Sequence, residues 1–168
     1  MKVIGKLANL SKILIGIGLP KAAAQTLDII SKLAKEEDFD GEPWVVNIEQ
    51  ITNSNNNFRT TKWTGEHYQM TLMSIKPGED IGLELHEDVD QFLRIETGSG
   101  KIEMGKSKND LKEWEAEKDF AVFVPAGTWH NLTNVGGSDL KLYSIYSPPQ
   151  HPKGTIHKTK KDAEKAQH

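Results

Sequence analysis

The chain has 168 residues, 36% of them hydrophobic and 27% charged, a composition typical of one soluble domain of ordinary size. A second large domain is excluded by this length. The 21 Lys and Arg residues nearly balance the 24 Asp and Glu residues, and positive charge gathers only near the C-terminus, which argues against nucleic acid as the main ligand. The chain has no cysteine, so disulfides, thiolate metal ligands and a cysteine nucleophile are excluded.

The N-terminal residues 1–37 carry a helical periodicity. Apolar residues recur every three or four positions in two stretches: Val3, Leu7, Leu10 and Leu14, then Ala23, Leu27, Ile30 and Ala34. Gly16 and Gly18 predict a break between two helices, and Pro20 suits the first turn of the second. We expect this helical extension to pack against the main domain or a twin subunit, with binding to a membrane surface as the alternative.

The apolar run over residues 13–20 loosely resembles a secretory signal, but it is short and closely flanked by Lys12 and Lys21. We therefore expect a retained helix and a cytoplasmic protein. No apolar run approaches the ~18 residues that a membrane span needs, so no transmembrane segment is predicted.

Beyond the helices, the hydrophobic period changes to two. Strands are predicted over residues 44–51, 58–63, 67–75, 82–86, 91–97, 101–105, 111–117, 120–125, 130–135 and 140–146. Many short antiparallel strands without an intervening helical period predict an all-β jelly-roll barrel over residues 38–150. The polar, basic tail over residues 151–168 is expected to lie along the barrel at first and to fray over its last ten or so residues.

Two segments hold residue types that ligate metals. Glu84 and His86 are two positions apart on a predicted strand, so their side chains leave the same face. Gln91 opens the next strand, and His130 follows a Pro-Ala-Gly turn at the start of another. A carboxylate, two imidazoles and an amide oxygen could converge on one divalent ion and leave positions open for water or substrate.

The spacing of these residues follows two patterns. The first pattern runs G, five residues, E-x-H, four residues, Q, six residues and G, in Gly78, Glu84, His86, Gln91 and Gly98. The second runs P-x-G-x-x-H-x-x-x-N, in Pro125, Gly127, His130 and Asn134. Both patterns resemble the two motifs of the cupin superfamily, and most closely its small single-domain members of the mannose-6-phosphate isomerase-like type.

The resemblance implies a double-stranded β-helix over about residues 44–148, a divalent metal ion held by the motif residues, and a homodimer that pairs through its sheets. Three positions depart from the usual cupin motifs. Glu84 stands where a histidine is usual, Gln91 where a glutamate is usual, and Asp119 where the second motif has its leading glycine.

The first two departures compensate in charge, because the usual ligand set and this one each contribute one negative charge. One imidazole is exchanged for an amide oxygen, which favours Mn or Fe and still allows Ni, Co or Zn. The neutral Gln91 is a poor ligand, so we expect weak or partial occupancy. Asp90 is a rival ligand, but strand alternation directs it away from the face that Gln91 takes.

Other side chains on or beside the predicted strands could line the cavity: Arg59, Trp63, His67, Tyr68, Gln69, Arg94, Trp129, Tyr143 and Tyr146. Arg94 would matter most, because an inward arginine could bind an anionic group, although alternation from Gln91 turns it outward. His151 and His157 are expected on the surface. Turn geometry is the role expected of Gly78, Gly98, Gly127 and Asn134.

Three functions follow from this sequence. The first is a metal-dependent enzyme acting on a small oxygenated metabolite such as a sugar phosphate, with aldose-ketose isomerisation as the simplest reaction and Glu84 as a candidate base. The second is a non-haem iron dioxygenase, since His86, His130 and Glu84 form the ligand set of that class. The third is a non-catalytic sensor or metabolite carrier whose helical extension contacts a partner.

Overall fold

The computed structural model describes residues 2–27 and 38–166. Helix α1 (Lys2–Gly16) ends at the predicted break, and a second helix, α2, begins at residue 20 and is described to residue 27. The two helices meet at Ser11 and Ala23, which are both buried. Within the described ranges, no helix is both long and apolar enough to cross a bilayer.

The apolar stripe of the helical extension is only partly covered. Of the predicted stripe residues, Leu10 and Leu27 are exposed, and so are other apolar side chains of the extension: Ile13, Ile15, Ile17 and Leu19. The stripe residues Ile30 and Ala34 lie outside the described residues. Packing of the extension against a twin subunit stays a prediction.

The rest of the described chain is dominated by antiparallel strands. They are β1 (Arg59–Thr64), β2 (Gln69–Ile75), β3 (Asp90–Thr97), β4 (Ser99–Ser107), β5 (Asp110–Glu117), β6 (Ala121–Val124), β7 (Trp129–Asn134), β8 (Leu140–Ser147) and β9 (Ile156–His157). One sheet has six strands in the order β6-β3-β8-β2-β1-β9, and the other has three in the order β5-β4-β7. The predicted all-β jelly roll with an N-terminal helical extension is confirmed.

Apolar side chains from both sheets form one core. Ile75, Ile95 and Leu142 contribute from the six-stranded sheet, and Ile102 and Leu132 from the three-stranded sheet. Their alternation along the strands is the period-two pattern of the sequence. This core occupies one end of the space between the sheets, and the polar residues described below occupy the other.

Two strand predictions are wrong in part. Residues 44–51 do not form a strand, because helix α3 (Ile48–Ser54) begins there. Asn47 caps this helix, its Oδ1 accepting a hydrogen bond of 2.9 Å from the backbone N–H of Gln50. Residues 82–86 pair with β7 only through one isolated bridge, which joins Glu84 to His130.

The C-terminal tail is more ordered than expected. Strand β9 pairs with β1, and helix α4 (Lys160–Lys165) follows, so the predicted fraying is wrong up to residue 166. Thr159 and Asp162 form a capping box at the start of α4, a signal that is readable in the sequence. Ala163, only 5% exposed, joins the core of the barrel.

Turn residues take the backbone conformations that their positions require. Gly98 has φ 94°, and a Cβ there would lie 3.1 Å from the Cα of Leu140, which explains why glycine is needed. Asp119, which replaces the leading glycine of the second motif, has φ 73°. An aspartate tolerates this left-handed conformation better than most residues, so the turn is kept without glycine.

The packing of α4 predicts that a charge at Ala163 destabilises the whole domain. We expect Ala163→Asp to lower the free energy of unfolding by about 2–4 kcal/mol, because it places an unpaired carboxylate in the core. Ala166→Asp, an exposed site on the same segment, is the matched control and is expected to cost less than about 1 kcal/mol. Urea denaturation measures both; equal losses would contradict the packing of the tail.

Candidate metal centre

A backbone bridge positions the first two site residues. The N–H of Glu84 donates to the carbonyl of His130 at 3.0 Å, and the N–H of His130 donates to the carbonyl of Glu84 at 3.0 Å. Residues paired in this way on antiparallel segments direct their side chains to the same face. The carboxylate and the imidazole therefore meet inside the barrel.

The turn before His130 is held from the other side of the site. The N–H of Gly127 donates to the carbonyl of His86 at 2.8 Å, and the N–H of Ala126 donates to a carboxylate oxygen of Asp90 at 2.8 Å. Asp90, the rival ligand in the sequence, thus anchors this turn. Its contact keeps the Pro-Ala-Gly turn against the segment that carries His86.

Glu84, His86 and His130 form a compact cluster. Oε1 of Glu84 lies 3.4 Å from Nε2 of His86 and 3.4 Å from Nε2 of His130. One possible ligand atom from each residue lies within 4.8 Å of the others. His130 is 2% exposed, and both Nε2 atoms are buried without a hydrogen-bond partner among the described residues.

The tautomer of His130 makes this cluster suited to a cation. Nδ1 of His130 lies 3.0 Å from the carbonyl oxygen of Thr128, and because a carbonyl only accepts, Nδ1 carries the proton. Nε2 of His130 then faces Oε1 of Glu84, where it donates a proton to the carboxylate or, with a cation bound, offers its lone pair to the cation. Two acceptors at 3.4 Å repel each other unless a proton or a metal cation lies near both. The donor set therefore fits a divalent ion.

The environment of Glu84 keeps it ionised. Burial alone would raise the pKa of this carboxyl, but the imidazoles of His130 and His86 and the charge of Arg59 lower the pKa to about 2. A carboxylate that stays charged at neutral pH is the form that binds a metal.

Gln91 also points into the barrel. It is 3% exposed, and its Nε2 donates a hydrogen bond of 3.1 Å to the hydroxyl oxygen of Tyr146. Its Oε1 is buried without a partner among the described residues, which leaves the ligating atom available. The ring of Tyr146 lies 6.0 Å from that of His86, so the four predicted ligands border one region. Ligation by each of them stays a prediction.

The predicted cavity residues separate onto two faces of the six-stranded sheet. Arg59, Gln69 and Tyr146 are buried on the inner face, which they share with Gln91. Arg94 faces outward, as alternation indicates, and pairs with Glu96 and Asp119 at 2.5 and 2.7 Å. The arginine that could have bound an anion from an inward position is thus engaged elsewhere.

A β-bulge moves Trp63 to the outer face. The register shifts between Thr61 and Trp63, so that Trp63 pairs with Met70 instead of an inward residue. Trp63 stacks on Tyr68 and borders a surface cavity of about 280 Å³ lined by Glu42, Pro43, Trp44, Val46, Trp63, Tyr68, Met70 and Ile145. None of the predicted metal ligands lines this cavity.

The remaining candidates also lie away from the cluster. His67 is exposed, Tyr143 contacts Phe92 on the outer face, and the ring of Trp129 is covered by Lys108 at 4.3 Å. Asn134 donates to two backbone carbonyls, which confirms its role in turn geometry.

His151 is the site residue that the sequence reasoning missed. Gln69 donates from Nε2 to the carbonyl of His151 at 2.8 Å, and the N–H of His151 donates to Oε1 of Gln69 at 3.0 Å. These bonds hold the tail so that the His151 ring lies 5.0 Å from that of Tyr146. No spacing rule links position 151 to the motifs; the tail position is visible only in three dimensions.

The buried position of His151 keeps its ring neutral. Burial, and then the positive charge of Arg59, lower the pKa of His151 to about 3. His157, on the strand next to Arg59, has a pKa lowered by the same two causes. Both residues were expected on the surface; His151 is largely buried and His157 half-buried.

Comparisons with known proteins agree with this architecture. Residues 71–146 match the family model described as a cupin domain. The chain is 59% identical over 128 residues to the uncharacterized protein YrkC of Bacillus subtilis, covering 76% of this chain and 69% of that protein. The crystal structure of a Bacillus halodurans protein has a TM-score of 0.76 at 54% identity and covers 77% of this chain and 98% of that one.

A shorter stretch is similar to part of a larger enzyme. Over 84 residues the chain is 27% identical to mannose-1-phosphate guanylyltransferase RfbM of Salmonella typhimurium. The match spans 50% of this chain but only 16% of that protein.

The lowered pKa of His151 predicts a loss of stability in mild acid. In the unfolded chain a histidine with its usual pKa of 6.5 takes up a proton before the folded form does, so stability falls as the pH drops below 6.5. Between pH 6.5 and 4.5 we expect His151 to contribute up to about 1.4 kcal/mol per pH unit.

Urea denaturation of chelator-treated protein at pH 7, 6 and 5 measures this slope. His151→Gln is expected to flatten it, and His67→Gln, at a histidine whose side chain is 83% exposed, is expected to leave it unchanged. An unchanged slope in His151→Gln would contradict the buried, neutral imidazole.

Proposed function

The chain belongs to the cupin superfamily, and from that premise we propose that it is a metal-dependent enzyme acting on a small oxygenated metabolite. In this proposal Glu84, His86, Gln91 and His130 hold one divalent ion. The oxygen donors of Glu84 and Gln91 favour Mn or Fe, and Ni, Co and Zn remain compatible with the imidazoles.

One observation carries this proposal. Nε2 of His86, Nε2 of His130 and Oε1 of Gln91 are buried without hydrogen-bond partners among the described residues, beside the charged carboxylate of Glu84. Buried polar atoms of native proteins are nearly always satisfied, so several polar atoms without good hydrogen bonds beside a carboxylate support the binding of a cation there.

The bound ion would act as a Lewis acid toward the carbonyl and hydroxyl oxygens of a substrate. Glu84, with its pKa of about 2, is a weak base at neutral pH, so its environment supports the role of ligand more than that of proton acceptor. The hydroxyl of Tyr146, whose pKa is raised by burial, stays protonated and is available as a hydrogen-bond donor beside the cluster.

Aldose-ketose isomerisation is the simplest reaction for such a site. The similarity to part of mannose-1-phosphate guanylyltransferase supports a sugar phosphate as one candidate substrate. The second candidate function is an iron-dependent dioxygenase, which is supported by the two histidines and one carboxylate of the compact cluster.

Metal binding is the direct test of the site. We expect the purified chain to bind about one Mn²⁺ or Fe²⁺ per chain, and His130→Ala to bind it more than about tenfold more weakly, because a ligand is lost. His67→Ala removes an exposed histidine and is the matched control. Isothermal titration and elemental analysis measure both; equal metal affinity in all three proteins would refute the proposed centre.

The reaction class is tested on the metal-loaded protein. Turnover of a hexose or pentose phosphate, followed by NMR, is expected if the protein is an isomerase. Fe(II)-dependent oxygen uptake without isomerisation would favour the dioxygenase. Either activity should fall at least about a hundredfold in Glu84→Ala, since its loss removes the charged ligand. Activity unchanged in Glu84→Ala would exclude the cluster as the reaction site.

A further inference from the structure

A buried arginine lies on the inner face of the barrel, outside the proposed metal ligands. Arg59 is 3% exposed, and on β1 it pairs in register with Met73 of the core and with His157 of β9. Directly paired residues share one face of a sheet, so Arg59 points between the two sheets.

The charge of Arg59 has no partner in the described structure. Within residues 2–27 and 38–166 its guanidinium forms no ion pair or hydrogen bond, and its Nε is buried and unsatisfied. Its one described contact is with the ring of Phe58, whose centroid lies 5.7 Å from Cζ. A buried, unpaired guanidinium is costly, so its presence calls for a ligand.

Arg59 lies near the proposed metal centre. Its charge acts on Glu84, on Tyr146 and on His151, lowering the pKa of each of these groups relative to burial alone. The strand register agrees, because Thr61, the next residue of β1 on this face, pairs with Thr71 of β2, which in turn pairs with Ser144 at the polar end of the interior.

Neutral polar groups complete this part of the interior. The hydroxyls of Thr71 and Ser144, which pair across β2 and β8, are buried beside the hydroxyl of Tyr146, and neither forms a hydrogen bond of good geometry among the described residues. Nε2 of His151 is unpartnered as well. A guanidinium, two hydroxyls and an imidazole are groups that bind an oxyanion.

We propose that Arg59 binds the carboxylate group of a small organic acid whose remaining oxygen atoms reach the Glu84, His86 and His130 cluster. This inference rests on the proposed function for the role of that acid as substrate, and it names a small organic acid, rather than a sugar phosphate, as the substrate class. A bound metal ion would strengthen carboxylate binding, but the guanidinium of Arg59 also binds a carboxylate without it.

A carboxylate fits this place better than a phosphate. Arg59 supplies the one positive charge, because His151 is neutral, and the carboxylate of Glu84 lies in the same space, so a dianion is repelled more strongly than a monoanion. The planar fork of a guanidinium also matches the two coplanar oxygens of a carboxylate. Inorganic phosphate is the competing oxyanion to be tested.

The experiment measures anion binding to the chelator-treated full chain by NMR titration. The probes are pyruvate, glycolate and malonate as carboxylates, inorganic phosphate, and ethylene glycol as the uncharged analogue. We expect saturable binding of at least one carboxylate, weakened more than about tenfold in Arg59→Gln. Arg94→Gln is the matched control, because Arg94 lies on the outer face, and it should keep the affinity of the native chain.

Several results would overturn the inference. They are the absence of carboxylate binding, equal affinity in Arg59→Gln and the native chain, and tighter binding of phosphate than of any carboxylate. Arg59→Lys keeps the charge but not the fork, so it provides a second folded variant in which carboxylate affinity should also fall.

Stability without ligand gives an independent measurement. If Arg59 is retained for a ligand, Arg59→Gln should raise the melting temperature of the chelator-treated protein by about 2–4 °C, since it removes an unpaired buried charge. A lower melting temperature would mean that the fold itself needs the guanidinium, and would contradict the inference.

The same variants separate this inference from the proposed function. Arg59→Gln should lose carboxylate binding and should bind the metal at least as tightly as the native chain, because it removes a positive charge that acts on Glu84. Loss of metal binding in Arg59→Gln would refute an anion site that is separate from the metal ligands. Absent metal binding in the native chain, with carboxylate binding intact, would refute the proposed metal centre alone.

Discussion

The backbone bridge between Glu84 and His130 is the constraint on which the site depends. The bridge joins residues 82–86, which do not form a full strand, to strand β7. It thereby directs the carboxylate of Glu84 and the imidazole of His130 into one space. The same strand holds the core through Leu132. Because the pair forms within the backbone, the positions of the two side chains follow from the fold itself rather than from their own mutual attraction.

The inner face of the six-stranded sheet divides between stability and chemistry along its strands. On β8, Leu140 and Leu142 belong to the core, whereas Ser144 and Tyr146, on the same face, border the polar region. Strand β2 runs antiparallel to β8, so along β2 the polar residue Gln69 comes first and the core residues Met73 and Ile75 follow. The apolar end contributes burial energy that offsets the cost of keeping polar groups unsatisfied at the other end.

Much of this arrangement could be predicted from the sequence because strands and motif spacings are local patterns. The period of two located most strands, and the spacing of Glu84, His86 and His130 indicated a cluster. Two features depended on other information. Helix α3 begins after its N-cap, Asn47. This capping signal is present in the sequence, but the apolar pattern over residues 44–51 predicted a strand there instead. The position of His151 depends on a contact with Gln69 that joins residues 82 positions apart, which no local pattern reports.

The neutral Gln91 has a consequence for the charge of the interior. With a glutamate there, the inner face would carry two carboxylates beside Arg59; with glutamine, Glu84 and Arg59 balance each other without touching. A divalent ion added to this balanced pair leaves an excess of positive charge in a poorly solvated space, and such an excess favours an anion. The departure from the usual motif would therefore weaken the proposed metal site and, for the same electrostatic reason, strengthen its preference for a negatively charged ligand.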